Sequence, residues 1–183
     1  VAIAGLGGLG SNIAMYLARA GVGHLHLVDF DKVDITNLNR QQYDIADLGT
    51  LKTDALTKNI KRFNPFIEIT SQCVKVNEDN AAEIFGGYKI VCEAFDKAEN
   101  KAMLVNSILS ECGDTKIVSG SGMAGFGSSN TIVTRKINDR FYLCGDTKSD
   151  MNDGLALAAP RVAICAAHEA NMILRLLIGE KEV

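Results

Sequence analysis

The chain has 183 residues, which is the size of one domain and enough to bury about 70% of its unfolded surface without cross-links. Its 19 basic and 22 acidic residues leave a net charge of −3, which argues against a nucleic-acid polymer as a partner. The five cysteines include no Cys-x-x-Cys pair, which argues against a disulfide framework and against a zinc site and favours a reducing, cytoplasmic location.

The first predicted element is a strand over residues 1–4, followed by a glycine-rich turn and a helix over 10–20. The turn contains four glycines: Gly5, Gly7, Gly8 and Gly10. Gly5 allows the tight turn after the strand, Gly7 lets the backbone approach a phosphate, and Gly10 lets the helix pack closely on the strand. The helix directs its N-terminal amides at the same turn, so the pattern predicts a bound anion there.

The second predicted strand, 24–29, ends in Asp29, about twenty residues beyond the last glycine. A carboxylate at that distance can accept hydrogen bonds from ribose hydroxyls. A turn that is glycine-rich for structural reasons alone is the alternative interpretation. Because the strand, the helix and the acid are all in register, the sequence favours a nucleotide-binding βαβ unit.

The chain then continues to alternate between predicted strands and helices. Further strands are predicted over 67–76, 88–95 and 116–119, and further helices over 51–63, 79–86 and 98–112. This alternation predicts an α/β fold with a Rossmann-like, mostly parallel sheet and helices on both faces.

After the fifth strand the pattern changes to a loop that contains four glycines. Two short strands, 131–134 and 140–144, then predict an antiparallel hairpin appended to the sheet. Charged residues interrupt the apolar run of the closing segment 160–178, which predicts a buried helix and no membrane span. No repeat or long linker divides the sequence, so we expect residues 1–183 to form a single domain.

Two cations and a carboxylate follow the ends of predicted strands. Arg40 lies in a polar loop after the second strand, Lys52 in the first turn of the next helix, and Asp96 directly after the strand 88–95. Because the carboxyl ends of parallel strands line the ligand crevice, these side chains are expected to meet there. A dehydrogenase holds its pyrophosphate without breaking it, whereas two cations and an Mg²⁺-binding carboxylate suit cleavage of a phosphate bond.

The ordered motifs resemble the ThiF/MoeB/HesA group, which is related to ubiquitin-activating enzymes. They are Gly5-Leu-Gly-Gly-Leu-Gly10, Asp29-Phe-Asp31, Asn37-Leu-Asn-Arg40-Gln41, Lys52, Ala94-Phe-Asp96, Ser119-Gly120 and the closing Ala159-Pro160 to Gly179 helix. The resemblance covers nearly the whole chain. Within the group it is greatest to the shorter ThiF-type proteins, adenylyltransferases that act on the sulfur-carrier protein of thiamine-thiazole synthesis.

The resemblance implies ATP-dependent adenylation of the terminal carboxylate of a small ubiquitin-like carrier that ends in Gly-Gly, with release of pyrophosphate. It implies that the glycines hold phosphate and Asp29 binds ribose. The implied ATP contacts are Gly5, Gly7, Gly8, Gly10, Asp29, Asn37, Arg40, Gln41 and Lys52, the implied Mg²⁺ ligand is Asp96, and the implied catalytic residues are Arg40, Lys52 and Asp96. The glycine-rich loop 119–127 would guide the tail, a homodimer is expected through the closing helix, and a separate protein would act as sulfur donor.

The sequence also departs from the pattern of this group. Its members carry an N-terminal helix with an arginine that reaches the ATP of the partner subunit. Here that arginine would lie upstream of Val1, or Arg40 and Lys52 would act without it. Lys97 replaces the usual Asn after Asp96, and the Cys-x-x-Cys pairs of larger members are absent, so no zinc is expected.

Several of these residues also have a purely structural interpretation. Asp31 and Asp34 would be solvated loop acids, and Asp96 would be the N-cap of the helix 98–112. Glu93 is predicted to be a hydrogen-bonded acid in a buried strand. The three histidines, His24, His26 and His168, show no metal-ligand spacing and are expected to be structural. Cys73, Cys92, Cys112 and Cys165 are expected to be inert small hydrophobes, and Cys144 is a weak candidate for handling sulfur.

Two further functions compete with adenylation. The glycine turn and Asp29 alone would suit an NAD(P)-binding oxidoreductase, although the second half of the chain offers no evident acid or base for hydride transfer. A non-catalytic module that binds a ubiquitin-like tail is the other alternative. An enzyme that adenylates a small molecule or a modified tRNA base is a variant of the first hypothesis.

Overall fold

Seven strands form one sheet in the computed structural model of the chain, which describes residues 1–149 and 154–183. The strands are β1 (Ala2–Ala4), β2 (His24–Val28), β3 (Glu68–Gln72), β4 (Ile90–Glu93), β5 (Lys116–Gly120), β6 (Val133–Lys136) and β7 (Phe141–Gly145). The helices are α1 (Gly8–Arg19), α2 (Lys52–Lys61), α3 (Glu78–Phe85), α4 (Ala98–Glu111) and α5 (Ala159–Leu177). Short 3₁₀ turns lie at Ile35–Asn37, Ile45–Asp47 and Ser129–Thr131.

The strand order is β3-β2-β1-β4-β5-β7-β6, and every neighbouring pair is parallel except β6 with β7. The predicted Rossmann-like sheet and its appended antiparallel hairpin are therefore confirmed. Within the hairpin, β7 pairs with β5 and β6 forms the edge. The first hairpin strand starts at Val133, two residues later than predicted, because Thr131 belongs to a 3₁₀ turn.

Helices cover both faces of the sheet because side chains alternate along the central strand. Ile3 points into a core shared with α1, α2 and α5, while Ala2 and Ala4 point into a second core shared with α3 and α4. The largest buried side chains of the first core include Leu6, Ile13, Leu17, Leu25, Leu27, Leu56 and Ile60, and those of the second include Phe85, Leu104 and Ile108. Because β1, β2, β4 and β5 run parallel, their carboxyl ends lie at one shared edge of the sheet.

The predicted strand 88–95 is shorter than expected, because β4 ends at Glu93. The N–H of Ala94 donates to the carbonyl of Ala4 at 2.8 Å, and the N–H of Phe95 donates to the Glu93 carboxylate at 2.7 Å. The side-chain acceptor thus diverts the chain out of the sheet. None of the helices within the described ranges is long and apolar enough to cross a membrane.

Candidate active site

The glycine turn joins β1 to α1 in a conformation that other residues would disrupt. Gly5 has a φ of 88°, and a Cβ there would lie 2.8 Å from the carbonyl oxygen of Ala94. A Cβ on Gly10 would lie 1.9 Å from the carbonyl oxygen of Gly5, so the helix packs directly on the turn. Gly7, the N-cap of α1, contributes no capping side chain. The first N–H groups of α1 therefore remain available to an anion.

Asp29 connects the end of β2 to the glycine turn. Its Oδ2 accepts the N–H of Leu6 at 2.6 Å, and its Oδ1 accepts the N–H of Asp31 at 2.8 Å. Burial raises the pKa of Asp29, although the Lys52 charge and these two N–H groups oppose the rise. Each oxygen of a carboxylate can accept more than one hydrogen bond, so Asp29 keeps capacity for a hydroxyl donor.

Lys52 is the first residue of α2, and its side chain is almost entirely buried. The ammonium lies 3.0 Å from Oδ2 of Asp31, with only 7% of the lysine side chain exposed. Asp31 is therefore an ion-pair partner of Lys52, and its side chain is also solvent-exposed, as the solvated-acid interpretation predicts. An ammonium carries three donors, so the Asp31 contact leaves others for an additional acceptor.

The polar loop between β2 and α2 brings Arg40 and Gln41 to the glycine turn. A Cβ on Gly8 would lie 3.5 Å from both Cγ and Nε of Arg40, and one on Gly7 would lie 3.9 Å from Nε2 of Gln41. The buried Nε of Arg40 and Oε1 of Gln41 have no hydrogen-bond partner in the described part of the chain. The Nε of Arg40 lies beside the glycine turn and is available to an acceptor on a ligand there.

The side chain of Asn37 shapes the loop that carries the predicted ATP contacts. Its Oδ1 accepts the N–H of Asp34 at 3.0 Å, and the Asp34 carboxylate in turn accepts from Thr36. The side-chain hydroxyl of Thr36 lowers the pKa of Asp34. Asn37 and Asp34 thus form a capping box that shapes the loop, and Asp34 is the exposed loop acid that the sequence predicts.

Side chains that the sequence analysis did not single out fasten this loop to α1. Nδ2 of Asn12 donates to the carbonyls of Gly8 and Arg40 at 2.7 and 3.0 Å. The hydroxyl of Tyr43 donates to the carbonyl of Leu6 at 2.8 Å. The sequence signal for this role is that Asn12, a polar residue, directly precedes the core residue Ile13 in α1, where it is buried. These bonds hold Arg40 against the glycine turn.

Asp96 lies three residues beyond the end of β4 and is exposed. The N-cap of α4 is Lys97, without a side-chain capping bond, so the interpretation of Asp96 as the helix N-cap is wrong. The segment just before it touches the glycine turn, since a Cβ on Gly5 would lie 3.1 Å from the Phe95 ring. Within the described ranges, no group of three or more His, Cys, Asp or Glu side chains could hold a metal ion by itself.

A buried charged cluster lies behind Asp96 and was not predicted as a unit. We define it as Glu93, Lys101, Ser119 and Glu169. The Lys101 ammonium donates to both carboxylate oxygens of Glu93 at 3.2 and 3.1 Å, and the Ser119 hydroxyl also donates to Glu93. Glu93 is therefore the hydrogen-bonded buried acid that the sequence predicts. Burial and the nearby Glu93 raise the pKa of Glu169 to about 8, with Lys101 opposing the rise.

The cysteines are mostly inert. Cys144 is fully buried, and burial together with Glu169 raises its pKa to about 12, so the weak assignment of sulfur handling to Cys144 is wrong. Cys73 is exposed, in contrast to the expected apolar surroundings. The histidines are structural as predicted: His24 and His26 both bond the hydroxyl of Thr70, and His168 bonds that of Thr134.

The fold and the site together define a Rossmann-like α/β protein with a glycine turn and neighbouring cations suited to a phosphate-bearing ligand. The chain belongs to the ThiF family, whose family model matches residues 1–183.

Relatives in this family carry named activities. The protein named adenylyltransferase and sulfurtransferase UBA4 of Eremothecium gossypii is 38% identical over 124 residues, which are 67% of this chain and 28% of that relative. The protein named adenylyltransferase and sulfurtransferase MOCS3 of Caenorhabditis briggsae is 38% identical over 109 residues, which are 59% of this chain and 27% of that relative. The chain thus matches less than a third of the length of either relative.

Solved structures share the fold. The tRNA N6-threonylcarbamoyladenosine dehydratase TcdA of E. coli, solved with ATP, superposes with a TM-score of 0.86 at 23% identity, covering 97% of this chain and 84% of that one. E. coli MccB, solved with ATP, gives a TM-score of 0.75 at 20% identity and covers 98% and 56% of the two chains. At these identities the similarity concerns the architecture.

Proposed function

We propose that this protein is an ATP-dependent adenylyltransferase that activates the C-terminal Gly-Gly carboxylate of a small ubiquitin-like sulfur carrier. The observation that carries the proposal is the buried, unpartnered Nε of Arg40, a donor that lies beside an uncapped helix N-terminus. Membership in the ThiF family and the adenylyltransferase names of UBA4 and MOCS3 support it.

The nucleotide would lie across the glycine turn. Ribose hydroxyls would donate to Asp29, whose oxygens each accept one backbone N–H and can accept more. The phosphates would bind the free N–H groups at the start of α1, together with Arg40, Gln41 and Lys52. Asn37 would contribute mainly by shaping the loop, since its oxygen is engaged with Asp34.

In the proposed step, a carboxylate oxygen of the tail attacks the α-phosphorus of ATP. The bond from that phosphorus to the bridging oxygen breaks, its electron pair leaves on pyrophosphate, and an acyl-adenylate forms. The barrier is mainly electrostatic, because an anion must approach a polyanion. Each charge-assisted hydrogen bond from Arg40 or Lys52 would contribute roughly 1.5–3 kcal/mol.

Asp96 would hold Mg²⁺. Mg²⁺ typically uses one or two carboxylates and completes its shell with phosphate oxygens and water, and an exposed carboxylate at the carboxyl edge of the sheet fits this requirement. When bound, the ion would neutralise part of the charge on the departing pyrophosphate.

The carrier is proposed to serve thiamine-thiazole synthesis, as the motif resemblance to short ThiF-type proteins implies. A sulfur donor protein would then act on the acyl-adenylate. We further propose a cytoplasmic homodimer in which α5 and the neighbouring loops form the contact. The names of UBA4 and MOCS3 include sulfurtransferase, which supports a sulfur step after adenylation.

The test is ATP–pyrophosphate exchange in the presence of a Gly-Gly-ended carrier. We expect Asp96→Ala to lower the exchange rate by about 10²-fold or more, as for loss of a preorganised charged group. Asp114→Ala is the matched control, because Asp114 is also exposed but lies between α4 and β5 at the opposite edge of the sheet. Undiminished exchange in Asp96→Ala would refute the metal assignment.

Two other outcomes would replace the proposal. Binding of reduced nicotinamide cofactor, without any response to ATP and Mg²⁺, would favour the oxidoreductase. Binding of the carrier tail without an AMP adduct would favour the non-catalytic module.

A further inference from the structure

One buried arginine holds the glycine-rich loop that leaves β5. Arg161 lies in the first turn of α5, and only 5% of its side chain is exposed. Its Nη1 donates to the carbonyls of Gly127 and Ser128, both at 2.8 Å, and its Nη2 donates to the hydroxyl of Thr131 at 3.1 Å. A single planar side chain thus fixes the backbone path of the loop.

The same guanidinium pairs with Asp146, the residue after β7. Nη2 of Arg161 lies 2.5 Å from Oδ2 of Asp146, whose Oδ1 accepts the N–H groups of Lys148 and Ser149. Burial raises the pKa of Asp146, but the two N–H groups and the arginine outweigh this and lower it to about 2. The N–H of Asp146 also donates to the carbonyl of Gly122 at 2.9 Å. The ion pair therefore joins the loop, the end of β7 and the start of α5.

This latch, defined as Arg161 with Asp146, adjoins the nucleotide side of the site. Val162, the next residue of α5, lies against the glycine turn, since a Cβ on Gly8 would approach its Cγ1 to 3.1 Å. Gly120, at the start of the loop, packs against Leu9 of α1. Through Val162 and Arg161, the first turn of α5 therefore lies against both the glycine turn and the loop after β5. The loop begins beside the N-terminus of α1.

The loop presents one large side chain. Phe126 stands between Gly125 and Gly127 and is 91% exposed, while the guanidinium of Arg161 lies under Gly127. A buried charge is costly, and an apolar side chain would stabilise a core position at least as well. What the arginine adds is a fixed position for the two carbonyls that directly follow the loop tip, those of Gly127 and Ser128.

We propose that Arg161 and Asp146 are positioning residues that hold the loop 121–131 as a wall for the Gly-Gly tail, with Phe126 contacting the carrier protein. This inference rests on the proposed adenylation of such a carrier. It assigns the latch to carrier recognition and not to ATP binding. The expected signature is a change in the KM for carrier with little change in ATP affinity or in kcat.

The experiment compares Arg161→Met, Asp146→Asn and Phe126→Ala with wild type. We expect each to raise the KM for a Gly-Gly-ended carrier about tenfold or more, since small displacements of positioning groups cost this much. ATP binding without carrier, measured by calorimetry, should stay within about twofold of wild type. Arg161→Lys should not restore the KM, because an ammonium cannot reproduce the planar fork.

Arg140→Met is the matched control. Arg140 also donates to two backbone carbonyls, those of Gly113 and Leu109, but at the opposite edge of the sheet. Its KM for carrier should match wild type. Equal losses in Arg140→Met and Arg161→Met, or an unchanged KM in Phe126→Ala, would overturn the inference. Phe126 is solvent-exposed, so its variant folds even if a latch variant does not.

A second readout separates this inference from the proposed function. Hydrogen exchange of the backbone amides in 121–131 should accelerate in Arg161→Met and stay unchanged in Arg140→Met, whichever reaction the protein catalyses. Absence of ATP–pyrophosphate exchange in wild type would refute the proposed function. Unchanged exchange of the loop amides would refute the latch.

Discussion

Two groups of polar and charged side chains lie near the same edge of the sheet. They differ in whether their buried donors and acceptors have hydrogen-bond partners. In the buried cluster, the Glu93 carboxylate is paired with Lys101 and hydrogen-bonded by Ser119. In the second group, Arg40 and Gln41 beside the glycine turn each have one buried polar atom without a hydrogen-bond partner in the described ranges. The satisfied cluster serves the architecture, whereas the open donor of Arg40 beside the uncapped start of α1 is available to a ligand.

The comparison predicts opposite effects of substitution. Removing a member of the buried cluster should destabilise the fold, because its partner is left as a buried, uncompensated charge. Removing a member of the second group, Arg40 or Gln41, should change ligand binding or catalysis and leave stability nearly unchanged.

The largest expected effect on stability follows from Lys101→Met. It leaves the buried Glu93 carboxylate without its cation, and we expect the free energy of unfolding to fall by about 3–5 kcal/mol. Urea denaturation measures this. Lys97→Met, at the exposed start of α4, is the control and should change stability by about 0.5 kcal/mol or less. A small loss in Lys101→Met would show that the cluster does not hold the fold.

Arg40→Ala should have the converse profile. We expect the rate of ATP–pyrophosphate exchange to fall by about 10²–10³-fold, because a preorganised cation beside the phosphates is lost. Its urea midpoint should stay close to that of wild type, since the guanidinium bonds only the Thr36 carbonyl and the Asn39 side chain of its own loop. A variant that lost stability and kept its exchange rate would reverse the assignment of the two groups.

Glu169 gives the buried cluster a pH dependence. Its pKa is about 8 in the folded protein against an ordinary value of 4.5, so the folded state binds more protons between these values. Stability should therefore decrease as pH rises through this window, by at most about 1.4 kcal/mol per pH unit. Urea denaturation of wild type and Glu169→Gln at pH 5.5 and about 7.5 measures the effect, and the difference between the two proteins isolates it. Equal slopes would contradict a protonated Glu169.

The smallest expected change in stability concerns Gln41→Leu. The substitution removes a buried acceptor that has no partner in the described chain, so we expect stability to be equal or higher by about 1 kcal/mol. ATP affinity, measured by calorimetry, should nevertheless fall about tenfold with the loss of the charge-assisted hydrogen bond that Nε2 of Gln41 would donate to a phosphate. A gain in ATP affinity would show that Gln41 does not face the nucleotide.

The sequence predicted local features well because they depend on neighbouring residues. The glycine turn, the alternating strands and helices, and the position of Asp29 at the end of β2 follow from spacing alone. The position of Asp96 beyond the end of β4 does not follow from spacing, because β4 ends where the Glu93 carboxylate accepts the N–H of Phe95. Its partners Lys101 and Ser119 lie 8 and 26 residues away in sequence.

Residues buried by distant segments were the hardest to interpret. Cys144 lies in a predicted hairpin strand, but its complete burial depends on the pairing of β7 with β5 and on α5 above it. Arg161 looked like a charge that interrupts an apolar helix. Its acceptors lie between 15 and 34 residues earlier in the chain, and no local pattern places them together.

The contact between Gly5 and Ala94 has a consequence for biosynthesis. The glycine turn packs against a carbonyl that is translated about 90 residues later. Strand β1 likewise pairs on one side with β4. A nascent chain therefore cannot complete this turn until the segment around Ala94 has also emerged, and until then the central strand lacks one of its two neighbours.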